Sequence, residues 1–176
     1  MVQFTRSFFS LCLIAASFAA PAKRTVTQVE ADIASISTQV NVLSNAIQGL
    51  PASGLVGALA ISTAVELLDT LLNIGTSDIK ATGPLDEAGA TTISNSVQTI
   101  GSDIINAMII LTSEEFSITE PFRRQVAHQL FLDLTKLENS IDEFYTTLVW
   151  ARYPLSPGEI LYSIHNAIEA AIAAFS

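Results

Sequence analysis

The chain has one cysteine, Cys12, and it falls within the first 19 residues, which carry the marks of an export leader. Arg6 supplies the positive start, Phe8 to Ala16 a short apolar run, and Ser17-Phe18-Ala19 the small residues around a cleavage point. The run is shorter than the roughly 20 apolar residues a membrane helix needs. Once the leader is gone, no thiol remains for a disulfide, a thiolate metal site or a cysteine nucleophile. Stability must then come from a packed core, and the 152 residues left after Arg24 (176 minus 24) are enough for one domain. Lys23-Arg24 is a pair that a processing protease can cut. The expected organisation is a signal peptide over 1–19, a propeptide over 20–24 ending at the dibasic pair, and a single helical domain over 25–176.

Positive charge is scarce as well. Beyond Arg24 there remain five Lys and Arg against 17 acids, a net charge near −12. That balance argues against nucleic acid and against anionic membrane surfaces. Aromatics are missing from the first half of the mature chain, since all nine lie between Phe116 and Phe175. No Asn-x-Ser/Thr acceptor occurs, and Asn139-Ser140-Ile141 fails by one residue. No hydrophobic tail follows Phe175 and no Ser/Thr-rich stalk precedes it, so neither a lipid anchor nor a membrane span is expected. The expected location is extracellular, free or associated with a cell wall without a lipid anchor.

No stretch alternates apolar and polar with β-branched enrichment, and what is present instead is helical periodicity. The most regular stretch runs from Pro121 to Trp150. Val126, Leu130, Leu134, Leu137, Ile141, Phe144 and Leu148 fall on one stripe there, and Lys136, Glu138, Asp142 and Glu143 fall off it. A helix of that length needs partners in water, and the other helices are expected to pack against it. The first helix opens at the capping box Thr27-Gln28-Val29-Glu30 and carries Val29, Ile33, Ile36, Val40, Leu43 and Ile47 inward up to Gly49-Leu50-Pro51. The second, Leu55 to Ile74, is apolar almost all round and is expected to be central, with Gly75 as its C-cap and a short turn from Ser77 or Asp78 to Gly83-Pro84. The third, Asp86 to Leu111, has Ile93, Val97, Ile100, Ile104, Met108 and Leu111 in register. The fourth ends near Tyr153-Pro154. The fifth begins at the box Ser156-Pro157-Gly158-Glu159 and turns Leu161, Ile164, Ile168, Ile172 and Phe175 inward. The architecture expected is an all-α, single-domain five-helix bundle.

Catalytic chemistry finds little to work with. No serine sits in a Gly-x-Ser-x-Gly elbow, and Gly101-Ser102-Asp103 lies inside a helical pattern that would not strain the serine outward. His128 and His165 are far apart in sequence and belong to no metal-binding spacing, so structural roles are expected for both. Glu114-Glu115 and the Glu138 to Asp142 cluster read as solvated helix faces. No catalytic residue, metal site or cofactor is assigned. Among the basic residues, Arg123 and Arg124 lie in the first turn of a helix, the unfavourable end for cations, which points to a partner such as Glu120 or to an external anion. Arg152 sits at the favourable end. For all three, surface ion pairing is the simpler account. The broad apolar faces fit a filled five-helix core, and they also fit a bundle with a slot between helices or one that opens on a hydrophobic surface. Patterning reports which faces are apolar and not how well they fill space, and the filled core asks for less.

A resemblance carries the reading further. The leader followed by Ala-Pro-Ala-Lys-Arg, the Val-x-x-Asp-Ile-x-x-Ile opening from Val29 to Ile36, the turn Thr82-Gly83-Pro84-Leu85 with Glu87-Ala88 after it, and the Ala-Ile-Ala-Ala-Phe end together resemble the fungal family that groups hydrophobic surface-binding protein A with cell-wall galactomannoproteins. The resemblance covers essentially the whole mature chain. It implies a five-helix bundle without catalytic residues that binds long-chain fatty acids or other lipids in an apolar cavity, or adsorbs to hydrophobic surfaces and recruits secreted hydrolases. The alternative within it is a structural or antigenic wall mannoprotein with a tight core. The chain departs from wall-anchored members in lacking a Ser/Thr-rich tail. For a lipid slot, inward residues of the second to fifth helices, namely Leu59, Leu67, Leu71, Ile104, Met108, Leu130, Leu134 and Ile168, are the expected lining. Arg123, Arg124 or a Ser or Gln near a helix end is the expected carboxylate contact.

Overall fold

The computed structural model describes residues 25–50, 55–83, 87–114, 123–151 and 157–175, and no strand occurs among them. They form α1 (Val26–Gln48), α2 (Leu55–Thr82), α3 (Glu87–Glu114), α4 (Arg123–Trp150) and α5 (Pro157–Ala174). α1 packs on α2, α2 on α4, α4 on α5, α5 on α3 and α3 on α1, so the five helices close a ring around one core. Each helix turns its apolar stripe to the centre. The inward residues expected for α1, α3 and α4 are all buried, and on α5 Ile164, Ile168 and Phe175 are buried while Leu161 and Ile172 are partly so. α4 is therefore one member of the ring rather than its hub. Its long contacts are with α2 and α5, and it reaches α3 through Tyr145, whose hydroxyl donates to the Val97 carbonyl at 3.1 Å.

Three local expectations are corrected. The N-cap of α1 is Thr25, not Thr27; its Oγ1 accepts from the Gln28 amide at 3.3 Å, and Thr27 lies inside the helix. Thr25-Val26-Thr27-Gln28 has the capping spacing too, and starting there adds two residues to the helix. α2 does not end at Gly75 but runs on to Thr82 without a break. A Cβ on Gly75 would stand 3.1 Å from Phe144 Cε2 and 3.4 Å from Ile36 Cδ1, so at this glycine side chains of α1 and α4 both press on the α2 backbone. The glycine that does stop the helix is Gly83, at φ 79°, with its amide donating to the Ile79 carbonyl. Finally, α2 is not central. As a ring member it leaves one side in water, with Val56 72%, Leu59 59%, Leu67 51% and Ile74 46% exposed.

Gly101 marks a second close approach. A Cβ there would meet the Tyr145 hydroxyl at 2.8 Å and Ile160 Cγ1 at 2.9 Å, so α3, α4 and α5 come together over a bare backbone. Ser102 spends its hydroxyl on the Gln98 carbonyl. The expectations for residues 1–24, Pro51, Glu115, Glu120, Pro121, Arg152, Tyr153, Pro154 and Ser156 lie outside the described residues.

Candidate functional site

Two polar pairs set how α2 lies against α4. Ser62 Oγ donates to Asp133 Oδ2, and one heptad further along Ser140 Oγ donates to Asp69 Oδ1. Donor and acceptor change helices between the two pairs, yet the sequence separation is 71 in both. A constant separation means that α2 and α4 run parallel, with their N-terminal ends side by side. Gln129 Nε2 adds a hydrogen bond of 2.9 Å to Asp133 Oδ1, and Asn73 Nδ2 one of 3.3 Å to Asp69 Oδ1. Asp69 and Asp133 are 4% and 6% exposed, so each carboxylate needs these donors to be stable where it is.

Asp69 is also paired with Lys136, whose Nζ lies 2.7 Å from Oδ2. Burial by itself pushes the Asp69 carboxyl up. The hydrogen bonds from Lys136, Ser140 and Asn73 and the lysine charge outweigh that, and they hold it below its ordinary value of 3.8. The same hydrogen bond and the surrounding charges of Asp69, Glu66 and Asp133 raise the Lys136 ammonium above 10.5. Further along, Lys80 Nζ reaches Glu143 Oε1 at 2.8 Å.

On the N-terminal side of this polar stretch the two helices part into a groove of about 330 Å³. Leu55, Ala58, Leu59, Val126 and Leu130 give it apolar walls, Gln129 stands level with Ala58, and Ser62 and Glu66 stand at its inner end. The volume lies at the small end of the range for ligand sites. A second groove, about 420 Å³, runs between α1 and α3 past Glu30, Ile33, Ala34, Ser37, Thr92, Ile93, Ser96 and Thr99. Its walls are richer in hydroxyls, and Thr92, Ser96 and Thr99 already donate to carbonyls of their own helix. The α2–α4 groove, with its apolar walls and polar end, is the better candidate for an amphiphile.

The eight residues expected to line a slot are thus not brought together. Leu59 and Leu130 line the α2–α4 groove. Ile104, Met108, Leu134 and Ile168 are packed in the core at 1% exposure or less. Leu71 is partly buried against the core, and Leu67 faces outward. Leu59 and Leu67 are corrections, because both were expected inward; a helix apolar nearly all round gives no internal sign of which side faces the centre. Arg124 is exposed in the first turn of α4, and the side chain of Arg123 lies outside the described residues. The Asp133 and Asp69 clusters were missed altogether. The matching seven-residue spacing of Ser62 with Asp69 and of Asp133 with Ser140 was visible, but only the parallel packing tells that the pairs meet.

On the far side of α4, His165 of α5 sits between two carboxylates. Nδ1 is 3.0 Å from Glu138 Oε1 on α4, and Nε2 is 3.3 Å from Glu169 Oε1 one turn along α5. These three residues hold their ligand atoms within 4.8 Å of one another, and their side chains bridge α4 and α5. His128 is exposed on α4. Among the described residues, α2 is the one helix long and apolar enough to cross a membrane; 44% of its most apolar window is buried.

Compared with known proteins, residues 26–150 match the sequence profile of the family described as hydrophobic surface binding protein A. No curated protein matches the chain. Two solved structures share its fold. One is the crystal structure of AfMP4p in complex with palmitic acid, 22% identical, with a TM-score of 0.75 over 86% of this chain and 99% of that one. The other is ligand-binding domain 1 of the Penicillium marneffei MP1 protein, complexed with arachidonic acids. It is 15% identical, with a TM-score of 0.61 over 82% of this chain and 99% of that one.

Proposed function

The chain belongs to the hydrophobic surface binding protein A family, and on that premise we propose that it is a secreted, non-catalytic protein that takes up long-chain lipids between α2 and α4 and adsorbs to hydrophobic surfaces through the outer side of α2. One observation carries this reading. α2, the one described helix long and apolar enough to cross a membrane, leaves Val56, Leu59, Leu67 and Ile74 about half exposed or more, beside a groove with apolar walls. Apolar side chains repeated along one side of a helix in water, here with the exposed Thr63 and Thr70 among them, are a liability for solubility, and a surface or ligand that covers them removes it. The two solved structures of the same fold, with palmitic acid and with arachidonic acids, support a lipid as the ligand. A chain of about 15 methylenes leaving water gains on the order of 10 kcal/mol before association costs, so few polar contacts are required. A fatty acid would turn its carboxylate to the first turn of α4, where Arg123 and Arg124 are the cations in the sequence. In this reading residues 1–19 are the leader, residues 20–24 a propeptide, and secreted hydrolases are partners held at the adsorbed surface.

The test is native mass spectrometry of protein from a secreting host, titrated with fatty acids, alongside adsorption to polystyrene beads. Lipid adducts and retention on the beads are expected, with both reduced in Leu59→Glu. A clean apo mass together with indifference to the beads would end the proposal. A second reading, a wall protein with a filled core, is favoured by Ile104, Met108, Leu134 and Ile168, all packed at 1% exposure or less. It predicts a melting temperature indifferent to lipid, since a ligand that binds only the native state must raise it.

A further inference from the structure

Resting on the lipid reading of the α2–α4 groove, we propose that its preferred occupant is a long-chain amine, a cationic amphiphile, rather than a fatty acid. The seam between the two parallel helices is graded along its length. On α2, Leu55, Ala58 and Leu59 come first and Ser62 and Glu66 follow; on α4, Val126 and Leu130 face them with Gln129 between, and Asp133 follows beside Ser62. At a rise of 1.5 Å per residue, Leu55 to Glu66 spans about 16 Å, a stretch suited to an extended alkyl chain with its head at the glutamate.

The charge at that inner end is one-sided. Among the described residues that line the groove, Glu66 is the one charged residue, and it is exposed. Asp133 stands behind Ser62 and Gln129, and Asp69 follows one heptad on from Ser62. Among the described residues, Lys136 is the cation that meets this group of three carboxylates, and its ammonium is bound to Asp69, 2.7 Å away. Asp133 takes its hydrogen bonds from the neutral Ser62 and Gln129, so Glu66 and Asp133 leave the seam negative. An alkylammonium head at Glu66 gains from that excess. A carboxylate there meets it as repulsion, and a carboxylate turned the other way lays its alkyl tail against the acids instead.

Dodecylamine, dodecanol and dodecanoate hold the tail constant and vary the head. Their affinities for the full secreted chain are measured by isothermal titration calorimetry at neutral pH and low salt, below micelle formation, with far-UV circular dichroism to verify that the fold persists. The amine is expected to bind on the order of tenfold more tightly than the carboxylate, with the alcohol between, the size that one exposed attraction exchanged for one repulsion supplies. In Glu66→Gln, at an exposed position, the spread should shrink, and added salt should shrink it too. Dodecanoate binding as tightly as the amine, or a preference untouched by Glu66→Gln, would overturn the charge assignment while leaving the groove as a lipid site. Failure of all three to bind, with the fold intact, would overturn the groove itself.

Discussion

α2 and α4 lie side by side in the same direction and both leave apolar residues in water, but on α4 these, Leu132, Val149 and Trp150, lie off the stripe that its spacing names. α4 carries the more polar sequence and hides its whole apolar stripe, from Val126 at 5% to Leu134 and Leu148 at 0%. α2 carries fewer charged residues and leaves Val56, Leu59, Leu67 and Ile74 in water. The difference separates two kinds of hydrophobicity. What the core requires is covered by the core; the surplus on α2 adds nothing to folding and remains available to something outside.

The largest effect should come from emptying the α4 side of this contrast. Phe144→Ala removes the ring that Gly75 and Tyr145 pack against, and it should cost about 3–5 kcal/mol in chemical denaturation, whereas Leu67→Ala should stay within about 0.5 kcal/mol. Equal losses would erase the distinction between the helices. Filling rather than emptying comes next. Gly101→Val pushes a side chain into the Tyr145 hydroxyl and Ile160, and it should destabilise by about 1–3 kcal/mol with the circular dichroism of a helical bundle retained.

The seam between the two helices has its own signature in acid. Because the Asp69 carboxyl is held below 3.8, its contribution is fully present above that pH and drains away as pH falls through the lower, folded-state value. Asp69→Asn should therefore flatten the acid limb of a stability-against-pH curve, and a limb of unchanged steepness would count against the assignment. Smaller still is the α4–α5 bridge, where His165→Ala should cost below about 1 kcal/mol because His165 and Glu169 are about half exposed. The surplus on α2 closes the series. Leu59→Ala and Leu67→Ala together should leave the melting temperature nearly unmoved while lowering retention on polystyrene, which sets adsorption apart from stability.

Much of this was legible beforehand. Six of six inward residues on α1 and seven of seven on α4 are buried as their spacing required, because a helical period names a face without help from the rest of the chain. Where the period was ambiguous, reading failed. Leu59 and Leu67 sit on a helix apolar on nearly every side, so no polar face marked the outside. Gly75 looked like a stop signal, for local sequence cannot tell a glycine that ends a helix from one that lets two helices touch.

By itself the sequence determined five helices, the face of most of them, the acidic balance, and membership of a family of surface binders, since each rests on local pattern or composition. Only the tertiary structure decided that α2 and α4 run parallel, that Ser62 meets Asp133 and Asp69 meets Ser140 across 71 residues, and that the surplus apolar side of α2 faces out. The physical reason is that these depend on which helices become neighbours. Periodicity fixes a direction around one helix axis, but the order of helices around the ring is chosen by how all five stripes fill a common centre.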